Sequence, residues 1–166
     1  IGAMANISIE GSIVIVGAAV PYSSIINSVL LAEACPLLVR VVSDIGSVQI
    51  RNTGTIGGNL CTASPGGDAS VGLLSLDAEV MIAGAGYEKS VPLTDFFTGY
   101  STTILSPEEI VTAVRFPRMT KEDRSCWIKL GRRNAFTMAV LSVAVMFRIE
   151  NGSFDRVRLA VGLAGP

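Results

Sequence analysis

The run Ile50-Arg51-Asn52-Thr53-Gly54-Thr55-Ile56-Gly57-Gly58-Asn59 is the part of the sequence richest in residues that let main chain approach a ligand. Glycine has no Cβ, so Gly57-Gly58 can turn successive N–H groups toward one point, and a concave nest of amides binds phosphate oxygens without a cationic side chain. Thr55 adds a hydroxyl donor and Asn59 an amide, both neutral. The chemistry this composition serves is cradling a pyrophosphate. A Gly-Gly pair also serves a tight turn, and both common phosphate fingerprints, GxGxxG and GxxxxGK[ST], are absent, which argues against a Rossmann fold or a P-loop.

Absent residue types narrow the chemistry further. There is no histidine, which removes Ser-His-Asp and Cys-His catalysis, HExxH zinc sites and imidazole pH switches. Cys35, Cys61 and Cys126 are scattered without CxxC spacing, so neither a disulfide framework nor a zinc or iron–sulfur site is expected, and a reducing, cytoplasmic setting fits. Cys61, although inside the glycine segment, reads as a small packed hydrophobe, and Arg132-Arg133 as a solvated face. No catalytic residue and no metal ligand is expected from this chain.

The elements that must position the segment fit into 166 residues, one domain or one and part of a second. Apolar residues make up 49% and charged ones 16%, with 13 basic against 14 acidic, which disfavours disorder and electrostatic nucleic-acid binding. The apolar runs at 13–20 and 138–147 fall short of the roughly 20 residues of a membrane span. The chain opens at Ile1 and closes on Gly165-Pro166 straight after an apolar alternation, so both ends read as cut.

Ile13-Val14-Ile15-Val16, ended by Gly17, reads as a buried strand, after which Ser23 or Ser24 caps a helix to about Ala34. Pro36 starts a second helix with Leu37, Leu38, Val41, Val42 and Ile45 on one face, stopping near Gly46. Between Arg51 and Gly67 periodicity vanishes, predicting a long structureless stretch. Asp68 caps a short helix over 71–76; strands at 80–82 and 89–93 flank Gly84-Ala85-Gly86 as a hairpin. Asp95-Phe96-Phe97 reads as a turn packing two rings, and a strand over 110–116 ends at Pro117. Polar residues 118–124 mark a boundary, followed by strands at 127–130, 138–149 and the alternation Val157, Leu159, Val161, with a turn at Asn151-Gly152.

Gln49-Ile50-Arg51-Asn52, then Gly54-Thr55-Ile56-Gly57-Gly58-Asn59-Leu60, then Thr62-Ala63-Ser64-Pro65 with Asp68 after two glycines, resembles the second flavin loop of the FAD-binding (medium) subunit of molybdenum hydroxylases. That family includes xanthine dehydrogenases and aerobic carbon monoxide dehydrogenases. Further matches follow in order: Phe97-Thr98-Gly99-Tyr100, Ser106-Pro107-Glu108-Glu109-Ile110, Pro117, and Lys129 with Arg132-Arg133.

The resemblance implies an α+β fold of the vanillyl-alcohol-oxidase-like (PCMH) type. Residues 1–117 would be its second subdomain, with the first subdomain and its Ala-Gly-Gly-Thr-like loop absent. Residues 118–166 would begin a C-terminal α+β domain like that of carbon monoxide dehydrogenase flavoproteins. It assigns Thr55, Ile56, Gly57, Gly58 and Asn59 to the pyrophosphate loop, Asp68 to an acidic cofactor contact, Ile45 and Val111 to apolar contacts, and Lys129 to a basic contact near the flavin. Without the motif, Asp68 would read as a helix cap, Ile45 and Val111 as core, and Lys129 as a solvated charge.

The family's electrons run from a molybdenum cofactor through two [2Fe-2S] clusters to FAD and on to NAD or another acceptor. The implied partners are therefore an iron–sulfur subunit and a molybdopterin subunit, with no nucleic acid and no membrane span. With one subdomain absent, FAD is expected to be weakly held or lost, and exposed apolar surface to favour an oligomer. The alternative is a non-catalytic binding or assembly module that keeps the fold without flavin. A covalent-flavin oxidase is disfavoured by the lack of histidine.

Overall fold

The computed structural model describes residues 2–132 and 138–164. β1 (Ile7–Glu10) and β2 (Ile13–Gly17) form a hairpin that turns through Gly11 at φ +59°. Six short helices follow: α1 (Tyr22–Ile26), α2 (Val29–Ala34), α3 (Pro36–Ser43), α4 (Val48–Thr53), α5 (Ile56–Thr62) and α6 (Asp68–Ser75). Then come the hairpin β3 (Glu79–Gly84) and β4 (Tyr87–Pro92), α7 (Leu93–Phe96), the small pair β5 (Phe97–Gly99) and β6 (Thr102–Thr103), and β7 (Ile110–Pro117). Residues 118–122 lead into β8 (Asp123–Gly131), β9 (Ala139–Glu150) and β10 (Ser153–Gly162).

The first sheet has the order β1-β2-β7-β3-β4 and the second β10-β9-β8, every pairing antiparallel. Val14, Val16, Val80, Ile82, Val114 and Phe116 carry the core face of the first sheet. The second sheet lays Trp127, Ala144, Met146 and Ala160 inward, while Ile128, Leu130 and Leu159 stay exposed on the other side. Its β9–β10 turn has Asn151 at φ +52° and Gly152 at +77°, the two positive angles of a type I′ hairpin. Helix α6 is buried nearly all round, and a Cβ on Gly72 would stand 2.9 Å from Val41, so α3 and α6 cross closely.

Several elements differ from the sequence expectations for physical reasons. The first helix is two, because Asn27 ends α1 and the Ser28 hydroxyl, not Ser23 or Ser24, accepts from Leu31 N–H to start α2. The stretch from Arg51 to Gly67 is not structureless: it holds the end of α4 and all of α5. Each begins on a side-chain cap, Ser47 for Ile50 N–H and Thr55 for Gly58 N–H, and neither is long enough to display a period. Asp68 does not cap α6; Gly67 occupies that position and Asp68 is the first helical residue. β1 is an element that the sequence reading missed, a four-residue alternation too short to stand out.

Candidate functional site

Thr55 ends an extended segment and caps α5, its Oγ1 accepting from Gly58 N–H at 3.0 Å. Gly57 N–H donates to Ala18 O at 2.9 Å. The nest of free amides expected at Gly57-Gly58 is therefore not formed, since both N–H groups are already hydrogen-bonded within the chain. The two glycines do different work. A Cβ on Gly57 would sit 2.6 Å from Ala18 Cβ and 2.8 Å from its carbonyl oxygen, so this position lets α5 pack on the chain leaving β2. A Cβ on Gly58 would meet only Thr55 Oγ1, at 3.1 Å; Gly58 is exposed.

Gly58 borders an open hollow of about 350 Å³ whose wall, almost wholly apolar, includes Ala18, Thr55, Gly57, Cys61 and Val111. A register shift between Met81 and Ile82 leaves Thr112 opposite no residue of β3, its hydroxyl donating to Met81 O at 3.2 Å, and the adjacent Val111 lines the hollow. Glu109, its side chain 2% exposed, also lines it. Its carboxylate accepts from Lys89 Nζ, from the Tyr87 hydroxyl at 2.6 Å and from Ser106 N–H at 2.9 Å. Lys89, then Tyr87, hold its pKa down at about 2. Ile56 points into the core, and Asn59 Oδ1 accepts from Ser70 Oγ on α6 at 3.4 Å.

A second group lies where β8 meets the helices. The pleat that turns Trp127 inward also turns Lys129 inward, so Lys129 is no solvated charge: its side chain is 9% exposed and that of Asp68 5%. Lys129 Nζ donates to Asp68 Oδ2 at 2.6 Å and to Asp44 O at 2.9 Å. Burial pushes the Asp68 carboxyl up, and Lys129 pulls it partly back. Asp68 Oδ1 and the Tyr22 hydroxyl are both buried with no hydrogen-bond partner, and burial, reinforced by the charge of Asp68, pushes the Tyr22 phenol up. Trp127 Nε1 donates to Asp44 Oδ2 at 2.9 Å, and Ile45, half-buried, follows directly.

The named residues thus fall into two places. Thr55, Gly57, Gly58 and Val111 surround the hollow; Asp68, Lys129 and the turn bearing Ile45 meet at β8; Asn59 leans from the first toward α6. Arg132 is exposed, and Arg133 lies outside the described residues. The sequence reading missed Tyr22, Asp44, Trp127 and the wall role of Glu109, whose partners are distant in the chain and leave no local signature. Among the described residues no three potential ligands gather around a metal position, and no helix is long and apolar enough to cross a membrane.

Residues 1–119 match the family model described as the FAD binding domain in molybdopterin dehydrogenase. The xanthine dehydrogenase FAD-binding subunit of Escherichia coli O157:H7 is 33% identical over 152 residues, covering 91% of this chain and 52% of the relative. The carbon monoxide dehydrogenase medium chain of Hydrogenophaga pseudoflava is 29% identical over 157 residues, 95% of this chain and 54% of the relative. Among solved structures, carbon monoxide dehydrogenase from that bacterium superposes with a TM-score of 0.94 at 29% identity, covering 98% of this chain and 56% of the other. Quinoline 2-oxidoreductase from Pseudomonas putida 86 gives 0.91 at 26% identity, with coverage of 98% and 56%. The chain spans about half the length of the curated relatives it matches.

Proposed function

The chain belongs to the family of FAD-binding domains of molybdopterin dehydrogenases, and from that premise we propose that it is the station at which a molybdenum-containing hydroxylase passes electrons from [2Fe-2S] clusters through FAD to NAD or another acceptor. FAD is its cofactor and it is an oxidoreductase component. The partners in this reading are an iron–sulfur subunit and a molybdopterin subunit, assembled in the cytoplasm. The division of the chain at 117, between an FAD-binding subdomain and the start of a C-terminal flavoprotein domain, is part of the same proposal.

The observation that carries the reading is the buried, unpartnered Asp68 Oδ1 beside Lys129. An ionised carboxylate has lone pairs to spare and can accept from a ribose or ribityl hydroxyl, and leaving such an atom unsatisfied in a folded chain costs about 1–3 kcal/mol. The apolar hollow at the start of α5 suits the face of a flat ring. The residues present therefore fit a flavin dinucleotide. Its ring system supplies the electron storage when bound. This chain's residues bind and orient it: Thr55 and Gly58 at the phosphate-side loop, Val111 and Ile45 against apolar faces, and Asp68 and Lys129 at polar atoms.

The competing reading, an assembly module without flavin, is favoured by the occupied amides of Gly57 and Gly58. Equilibrium dialysis separates the two. FAD is expected to bind the 166-residue chain weakly but saturably, with Gly58→Asp and Asp68→Asn each weakening it at least tenfold while circular dichroism stays unchanged. No saturable binding at millimolar FAD would leave the assembly reading standing.

A further inference from the structure

The carbonyls at and just beyond a helix C-terminus lack partners within it and are commonly left to water. Those of the turn after α3 are not. Arg51 Nη1, reaching back from α4, donates to Ile45 O at 2.9 Å and to Gly46 O at 3.1 Å, while Lys129 Nζ takes Asp44 O. The turn is further pinned by the Trp127 indole on the Asp44 carboxylate, and Gly46 stands at φ +48°. Two cations and an indole, from α4 and β8, thus converge on three successive residues. The same ammonium that holds Asp44 O also holds Asp68 Oδ2, so it ties Asp68 to the turn that carries Ile45.

We propose that Arg51 and Trp127 are positioning residues for the cofactor: with Lys129 they clamp residues 44–46 and fix Ile45 relative to Asp68. The clamp rests on the reading above, in which Ile45 and Asp68 contact FAD. Hydrogen bonds from an ionised donor are roughly twice as strong as neutral ones, so removing the guanidinium frees the turn, whereas a lysine keeps a charged donor at one carbonyl. Trp127 is the chain's one tryptophan, so its emission reports on the turn directly.

The test measures FAD affinity, Trp127 emission and urea midpoint for Arg51→Met, Arg51→Lys and Ile45→Ala, and FAD affinity and urea midpoint for Trp127→Phe and the double variant Trp127→Phe/Ile45→Ala. Arg51→Met is expected to weaken FAD about tenfold and to shift Trp127 emission to the red with little change in midpoint, and Arg51→Lys to recover most of both. If Arg51→Met does not fold, the cycle of Trp127→Phe, which removes the indole donor to Asp44 Oδ2, with Ile45→Ala decides. Non-additive losses of FAD affinity support action through Ile45, and additive losses overturn it. An Arg51→Met protein with wild-type affinity and emission also overturns it. Should Ile45→Ala leave FAD binding untouched, the assignment of Ile45 fails and the clamp with it; should Ile45→Ala weaken binding while the Arg51 variants do not, only the clamp fails.

Discussion

Lys129 and Asp68 are both nearly out of water, so each depends on the other to offset its lost hydration. Lys129→Met is expected to destabilise the fold by about 3–5 kcal/mol at neutral pH, because a buried carboxylate is left uncompensated. Urea titrations at several pH values check this and its sign. Without Lys129 the folded pKa of Asp68 rises further above its unfolded value, so the deficit is smallest in acid and grows as pH rises through that folded pKa. Glu109 has the opposite sign. Its folded pKa, about 2, lies below the ordinary 4.5, so its stabilisation is present above 4.5 and lost as pH falls toward 2. Glu109→Gln is expected to flatten that leg of the acid-unfolding curve. The proposal that Asp68 and Lys129 contact the cofactor came from the family motif alone. Their pairing was not legible, because the partners stand 61 residues apart and nothing local in either segment announces the other.

At the scale of elements, the start of α5 depends on three side-chain choices. Thr55→Ala removes the acceptor for Gly58 N–H and is expected to cost about 1 kcal/mol in chemical denaturation. Gly57→Ala drives a methyl into Ala18, including its main-chain oxygen, and is expected to cost about 1–3 kcal/mol. Gly58→Ala meets only a hydroxyl and should leave stability within about 1 kcal/mol of the parent. A loss larger at 58 than at 57 would contradict the packing described. Strands with clear alternation or a β-branched run, such as β2, β3 and β7, were readable from sequence, as was the β9–β10 turn. Helices α4 and α5 were not. Each starts on a side-chain cap, and α5 also buries Ile56 and Leu60 against the rest of the molecule, a tertiary effect that no short window displays.

On the scale of the whole molecule, the outer face of the second sheet is a row of apolar side chains. Ile128 is 61% and Leu159 64% exposed, with Val143, which pairs with both Ile128 and Val161, between them. A patch of this kind favours association. Sedimentation velocity is expected to show concentration-dependent self-association that Ile128→Lys/Leu159→Lys abolishes. The strand order was not legible, because β7 enters between β2 and β3 from far along the chain, and adjacency of that kind leaves no mark on local composition. The contacts of Lys129 also bear on the order of assembly. They close chain separations of 61 and 85 residues, so they form only once β8 has docked, after the entropy of those long loops has been lost. In stopped-flow kinetics Lys129→Met is expected to hasten unfolding while leaving the refolding rate nearly unchanged, the pattern of a contact made on the native side of the folding barrier.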